Sequence, residues 1–233
     1  MADTAVIQVL GAIAYGEQKA HDKARQRAAA AGDEAERQVW RKIAAEERRH
    51  HLGFVRRLRA MGADPDRAMA PFRPSLDRFH AEPPDPDAVR AAVADLLGEG
   101  IATDLLVWLR KVVDPDTGAF IDTVLADEAG HEARAAAELR RVIAQAPDGQ
   151  RRAAAGARRM LLRMAVSGGH NGLPLAAFLR VGRAHELVGA IAAGLARRLH
   201  VLGIGPVAAV ERLDPWGILV RIDPLRATAP PAA

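Results

Sequence analysis

The chain has 233 residues, a formal net charge of +4 and no cysteine. That length can bury a core without cross-links, and the lack of thiols excludes disulfides and every thiolate-held metal. No basic-then-apolar leader opens the sequence and no apolar run is long enough to span a bilayer, so a cytoplasmic protein is expected.

Residues 4–31 read as a first helix, with Asp3 or Thr4 as its cap. Leu10, Ile13 and Ala14 lead along one stripe to Glu17, and His21 follows one turn later. Gly32 closes the helix and Asp33 caps the next, over 34–61. There Trp40, Ile43, Glu47, His50, Phe54 and Leu58 step by three or four and share a face. Its polar members are Glu47 and His50, and a buried carboxylate is costly unless paired or coordinated. Glu46, Arg48, Arg49 and His51 fall beside the stripe and are expected to be solvated or ion-paired. Gly62 and Asp64-Pro65 end the helix.

Residues 63–86 are broken by Pro65, Pro71, Pro74, Pro83, Pro84 and Pro86 and read as a long crossover, with short helical turns near 66–70 and 75–81. A third helix is predicted over 87–113, with Leu96, Glu99, Thr103, Leu106 and Leu109 near one face and Asp95 one turn before Glu99. Asp114-Pro115 supplies a cap and a first-turn proline for a fourth helix over 115–145. Its stripe is Ile121, Leu125, Glu128, His131, Ala135 and Leu139, with Asp127 and Glu132 beside it and not expected to be ligands. A fifth helix follows from 148 to about 167, a loop by composition at 167–172, and a sixth helix over 174–202. The expected layout is one helical domain over 1–206, with a core at 4–145, added helices within 148–203, and a tail at 207–233 that is partly disordered.

The polar members of these stripes form a pattern. Glu47-Arg-Arg-His50 and Glu128-Ala-Gly-His131 are both Glu-x-x-His, a spacing that puts both side chains on one helix face. Glu17 precedes Glu47 by 30 residues and Glu99 precedes Glu128 by 29. One Glu from each of two helices and Glu-x-x-His from each of two others is what a ferritin-like dinuclear carboxylate site requires. The fold class expected is therefore all-α: a ferritin-like four-helix bundle with two additional C-terminal helices. Glu17, Glu47, His50, Glu99, Glu128 and His131 are the expected metal ligands and, with the metals, the catalytic centre. Carboxylate and imidazole donors suit two iron ions, with manganese as the alternative, and leave open positions for O₂ as co-substrate. His21 and Asp95, one turn from Glu17 and Glu99, are candidates for orienting those ligands.

Charge is spread unevenly. Residues 1–133 carry a net −5, whereas 134–233 hold 15 arginines against 6 acidic residues. Arg151, Arg152, Arg158, Arg159 and Arg163 are the candidate contacts for RNA. The competing reading is a solvated, arginine-rich set of helices.

Several segments also resemble a known family. They are Met61-Gly-Ala-Asp-Pro65, Ala68-Met-Ala-Pro-Phe72, Leu76-Asp-Arg-Phe-His80, Glu99-Gly-Ile-Ala-Thr-Asp104, Val124-Leu-Ala-Asp-Glu-Ala-Gly-His131 and Arg197-Arg-Leu-His-Val-Leu-Gly203. Over about residues 5–206 the chain resembles the actinobacterial ferritin-like proteins related to tRNA-(2-methylthio-isopentenyl-adenosine) hydroxylase, the MiaE-like group. That resemblance implies a non-haem di-iron monooxygenase with the six residues above as ligands. It does not carry the substrate, because no tRNA-contacting motif is matched.

Three functions follow as expectations: a hydroxylase acting on a modified tRNA base, a di-iron oxygenase or oxidase acting on a small metabolite, and a ferroxidase or iron-handling protein. Either oxygenase needs an electron donor such as a ferredoxin or its reductase. A homodimer is the expected assembly, and no membrane partner is expected.

Overall fold

The structure, a computed structural model, describes residues 4–81, 83, 85–170, 175–181 and 184–201, with side chains except at 163–170, 175, 176, 179, 184 and 201. Among the described residues every regular element is helical. None of these helices is long and apolar enough to cross a membrane. The chain divides into two compact units, Met1–Pro83 with Val166–Gly182, and Pro84–Ala165 with Arg183–Ala233.

The first unit is built on the helical hairpin of α1 (Thr4–Ala30) and α2 (Glu34–Ala60). The Asp33 side chain caps α2 by accepting from the Glu36 amide, and the Glu36 carboxylate reaches back to the Gly32 amide, 3.0 Å. One helix-start donor and the amide just ahead of the cap are thereby satisfied. At the other end Gly62 takes φ +75°, the left-handed conformation glycine adopts without strain, and its amide bonds to the Arg59 carbonyl. Asp64 and Pro65 then start α3 (Pro65–Met69), with Asp64 accepting from the amides of Asp66 and Arg67. A 3₁₀ turn (Ala70–Phe72) and α4 (Arg73–Ala81) complete the crossover, which is more helical than two isolated turns.

The crossover is clamped to α1. Tyr15 donates to Asp77 at 2.6 Å, and Lys19 lies 3.1 Å from the same carboxylate. Burial and the Asp77 charge push the Tyr15 hydroxyl up to about 12. Val9, Leu10, Phe54, Leu58 and Phe72 are fully enclosed in this unit; side chains of this size stabilise by about 1.5–3 kcal/mol each on burial. Phe178 of α8 (Leu175–Arg180) meets Phe72 edge-on at 6.5 Å.

The second unit is built on α5 (Ala88–Leu109) and α6 (Pro115–Gln145), joined by a tight turn. The third helix ends at Leu109, earlier than expected. Residues 111–113 close turns onto Trp108 and Leu109 instead, and Asp114, the residue before Pro115, is extended. Asp114 caps α6 through the Thr117 amide and hydroxyl. Val93, Leu96, Leu97, Leu109, Ile121, Val124 and Leu139 are fully enclosed.

Two C-terminal expectations need correction. α7 (Gly149–His170) runs through most of the segment read as a loop. A helix already nucleated extends through a glycine at a cost of only about 1 kcal/mol, so composition alone was a weak stop signal. The predicted sixth helix is two helices, α8 and α9 (Ala184–Val201). The tail at 207–233 lies outside the described residues.

Candidate metal centre

In the first unit, Glu17 of α1 and Glu47 and His50 of α2 are all buried, at 8%, 3% and 2% exposure. The His50 Nδ1 lies 3.3 Å from a Glu17 oxygen and 3.5 Å from a Glu47 oxygen. Each residue offers one ligand atom, and the three atoms lie within 4.8 Å of one another. The predicted stripe holds: Trp40, Ile43, Phe54 and Leu58 are buried, whereas Arg48 and Arg49 are exposed.

This cluster sits between two hydrogen bonds that tie the hairpin together. The His51 ring on α2 donates from Nδ1 to the Ala14 carbonyl on α1, 2.8 Å. The His21 ring on α1 donates from Nδ1 to the Ala44 carbonyl on α2, 2.7 Å. The pairs 14–51 and 21–44 share one antiparallel register, and Glu17, Glu47 and His50 fall between them. His21 thus bridges to main chain, and His51, read from sequence as a flanking residue, does the same on the other side.

In the second unit, Glu128 and His131 of α6 are each 4% exposed, and Glu99 of α5 is half-buried. The His131 Nδ1 is 3.4 Å from a Glu128 oxygen. Glu99, Glu128 and His131 each offer a ligand atom, again within 4.8 Å of one another. Asp95 is half-buried one turn before Glu99.

The flanking carboxylates Glu46 and Glu132 are paired with cations, as expected of residues beside the stripe, and both are buried. Glu46 is 7% exposed with Lys42 3.6 Å away, so it is not solvated. Glu132 is 3% exposed and held by Arg198 of α9 through two hydrogen bonds, 2.8 and 3.2 Å. The same guanidinium makes two more to Asp104 of α5, 2.7 and 3.2 Å. Burial pushes the Asp104 carboxyl up to about 6, against the pull of Arg198. Burial also pulls Arg198 down, but Asp104 and Glu132 overcome it and hold the guanidinium above its ordinary value.

Of the arginines proposed for RNA, Arg151 pairs with Asp148, Arg152 with Asp87 at 3.5 Å and Arg159 with Asp85 at 3.1 Å, while Arg158 is exposed. The Arg163 side chain lies outside the described ones.

Each cluster suits a divalent ion by its donor chemistry. Two carboxylates and one imidazole are a hard-to-borderline set of the kind iron and manganese take. Donors around an ion bound at about 2.1 Å are separated by roughly 3.0–3.4 Å. The 3.3–3.5 Å carboxylate-to-imidazole spacings are close to that range.

Helical elements throughout the described residues, with paired Glu-x-x-His stripes buried at their ligand positions, define a ferritin-like protein with a buried carboxylate–histidine site able to hold metal. The sequence matches a family profile described as a ferritin-like domain of actinomycetes over residues 2–171, and the chain belongs to that family. No curated protein matches it.

Proposed function

We propose that each of the two clusters holds one metal ion, and that the protein is an O₂-dependent di-iron hydroxylase acting on a small molecule. The observation that carries this reading is the burial of Glu17, Glu47, Glu128, His50 and His131 on ligand-spaced stripes. With Glu99, four carboxylates bring −4 into the interior; two divalent ions would balance them, and two neutral imidazoles would complete the coordination without adding charge. Uncompensated carboxylates there would each cost several kcal/mol.

The chemistry that iron would supply is O₂ reduction coupled to hydroxylation: substrate C–H, O₂, two electrons and two protons give C–OH and water. The electrons would come from a donor such as a ferredoxin or its reductase. The chain's part is to fix the ligands and exclude water. The stripe residues Ile43, Phe54, Ile121 and Leu125, all buried, supply the apolar surroundings.

The resemblance to MiaE-like hydroxylases makes a tRNA base the second reading of the substrate. The small-molecule reading is favoured because Arg151, Arg152 and Arg159 each face an acidic partner, which leaves less free positive charge for phosphates.

The test is anaerobic Fe(II) loading, metal analysis, and optical spectra after O₂ exposure. Two equivalents of iron and an O₂-dependent spectral change are expected, with weak tRNA binding at physiological salt. Iron uptake beyond two equivalents with mineral formation would favour iron handling instead. Tight tRNA binding with a steep salt dependence would restore the tRNA reading.

A further inference from the structure

The Arg198 side chain is 2% exposed and grips two carboxylates on two different helices. Its Nε and Nη2 donate to Glu132, and its Nη1 and Nη2 donate to Asp104. Both carboxylates are 3% exposed. Arg197 adds a second positive charge, 4.0 Å from Asp104.

Place matters more here than charge. Glu132 directly follows His131 on α6. On α5 the guanidinium lies against Gly100, the residue after Glu99: a Cβ there would sit 1.8 Å from the Arg198 Nε. On α9 a Cβ at Gly194 would sit 2.1 Å from an Asp104 oxygen. Glycine inside a helix is unfavourable by about 1 kcal/mol relative to alanine. Here two helix-interior glycines open the space in which the charged groups meet.

As a source of stability such a group is unremarkable, since well-packed apolar residues often do as well or better than a buried ion triad. What a bidentate guanidinium adds is direction, because the planar fork fixes each carboxylate in orientation as well as distance.

We propose that Arg198 is a positioning residue for the α5–α6 metal cluster, locking α5 and α6 in the axial register that brings Glu99 to Glu128 and His131. Arg198 need not touch a metal. It acts through Glu132 on the turn carrying His131 and through contact at Gly100 on the turn carrying Glu99. This rests on the metal-binding reading above.

The test titrates metal-free full-length protein with Co(II), following stoichiometry and the visible absorption of the bound ion, alongside thermal unfolding of the metal-free form. Wild type is expected to take two equivalents. Arg198→Lys keeps the charge and loses the fork; it should bind one Co(II) as wild type does and the second roughly 10–100-fold more weakly, as for other residues that orient ligands. Gly100→Ala should do the same by displacing the guanidinium. An Asp104→Leu, Glu132→Met, Arg198→Met triple variant separates position from stability. Its unfolding midpoint should match or exceed that of Arg198→Lys, while its second Co(II) stays weak. If the triple variant or Arg198→Lys binds both ions like wild type, Arg198 is only an anchor for α9 and the proposal fails. If wild type binds no Co(II), the metal reading fails and takes this one with it.

Discussion

In the α1–α2 hairpin, Glu17, Glu47 and His50 lie between two imidazole-to-carbonyl hydrogen bonds, and the bracing is internal to the helix pair. In α5–α6, Glu99, Glu128 and His131 are flanked by buried ionised groups, and the bracing comes from a third helix through Arg198. The two ligand sets have the same formula, Glu with Glu-x-x-His. The difference teaches that one coordination pattern can be held by inexpensive local contacts or by a long-range ionic one. The second kind makes its cluster depend on an element over 60 residues away in sequence, since Arg198 and Glu132 are 66 apart.

The largest expected effect tests whether the shared formula matters more than the bracing. Glu47→Ala and Glu128→Ala each remove one carboxylate from one cluster. Both should abolish binding of at least one metal ion and all O₂ reactivity, measured by metal analysis and by optical change on O₂ exposure. Neither need unfold the metal-free chain, because each leaves fewer buried negative charges to balance. If Glu47→Ala still holds two equivalents of iron, the α1–α2 cluster is not a ligand set and the likeness between the two regions is accidental.

A smaller effect should separate the two kinds of bracing. Arg198→Met strands two buried carboxylates, and removing one partner of a buried ionic group costs about 3–5 kcal/mol. His51→Phe keeps a ring of similar shape and loses one hydrogen bond to a carbonyl; a typical loss of that kind is about 1 kcal/mol. Denaturant unfolding of the two metal-free variants should rank them in that order. Equal losses would mean that the His51 bridge supports its hairpin as strongly as Arg198 supports the other.

The same contrast explains which features could be read in the sequence. The ligand stripe on α2 was visible because Ile43, Phe54 and Leu58 flank Glu47 and His50 on an otherwise polar helix. α6 showed the same with Ile121, Leu125 and Leu139. Capping was equally legible at Asp33, Asp64 and Asp114, where short-range chemistry decides the outcome. The bracing was not. His51 lies off the stripe, and only the antiparallel register of α1 and α2 shows that it reaches Ala14. Arg198 stands beside Arg197 in a chain with many arginines, where one guanidinium reads like another, and burial of Glu132 requires α9 to pack beside it. α5 is apolar on several faces, with Val89, Val93, Leu96 and Leu97 all buried, so its pattern did not mark Asp104 as interior. Helix faces are written in local periodicity; contacts made by a distant helix are not.

The smallest expected effect is a pH dependence confined to the ionic brace. Asp104 is faced by Arg197 and Arg198 from α9 and by Glu132 from α6. Its carboxyl is pushed up to about 6 from an ordinary 3.8, chiefly by burial. The folded chain therefore holds this proton more tightly than the unfolded chain does. The stability that results is complete below about pH 4 and is lost as pH rises through about 6. At about 1.4 kcal/mol per unit of pKa difference, the loss between pH 5 and pH 7 is about 1 kcal/mol. Histidines titrate in the same window, so wild type alone is uninformative. The informative quantity is the stability of metal-free wild type minus that of Asp104→Asn, measured by urea unfolding at both pH values. That difference should favour wild type more at pH 5 than at pH 7. A difference that does not change means that Asp104 stays ionised throughout, and that Arg198 and Arg197 outweigh the burial of its charge.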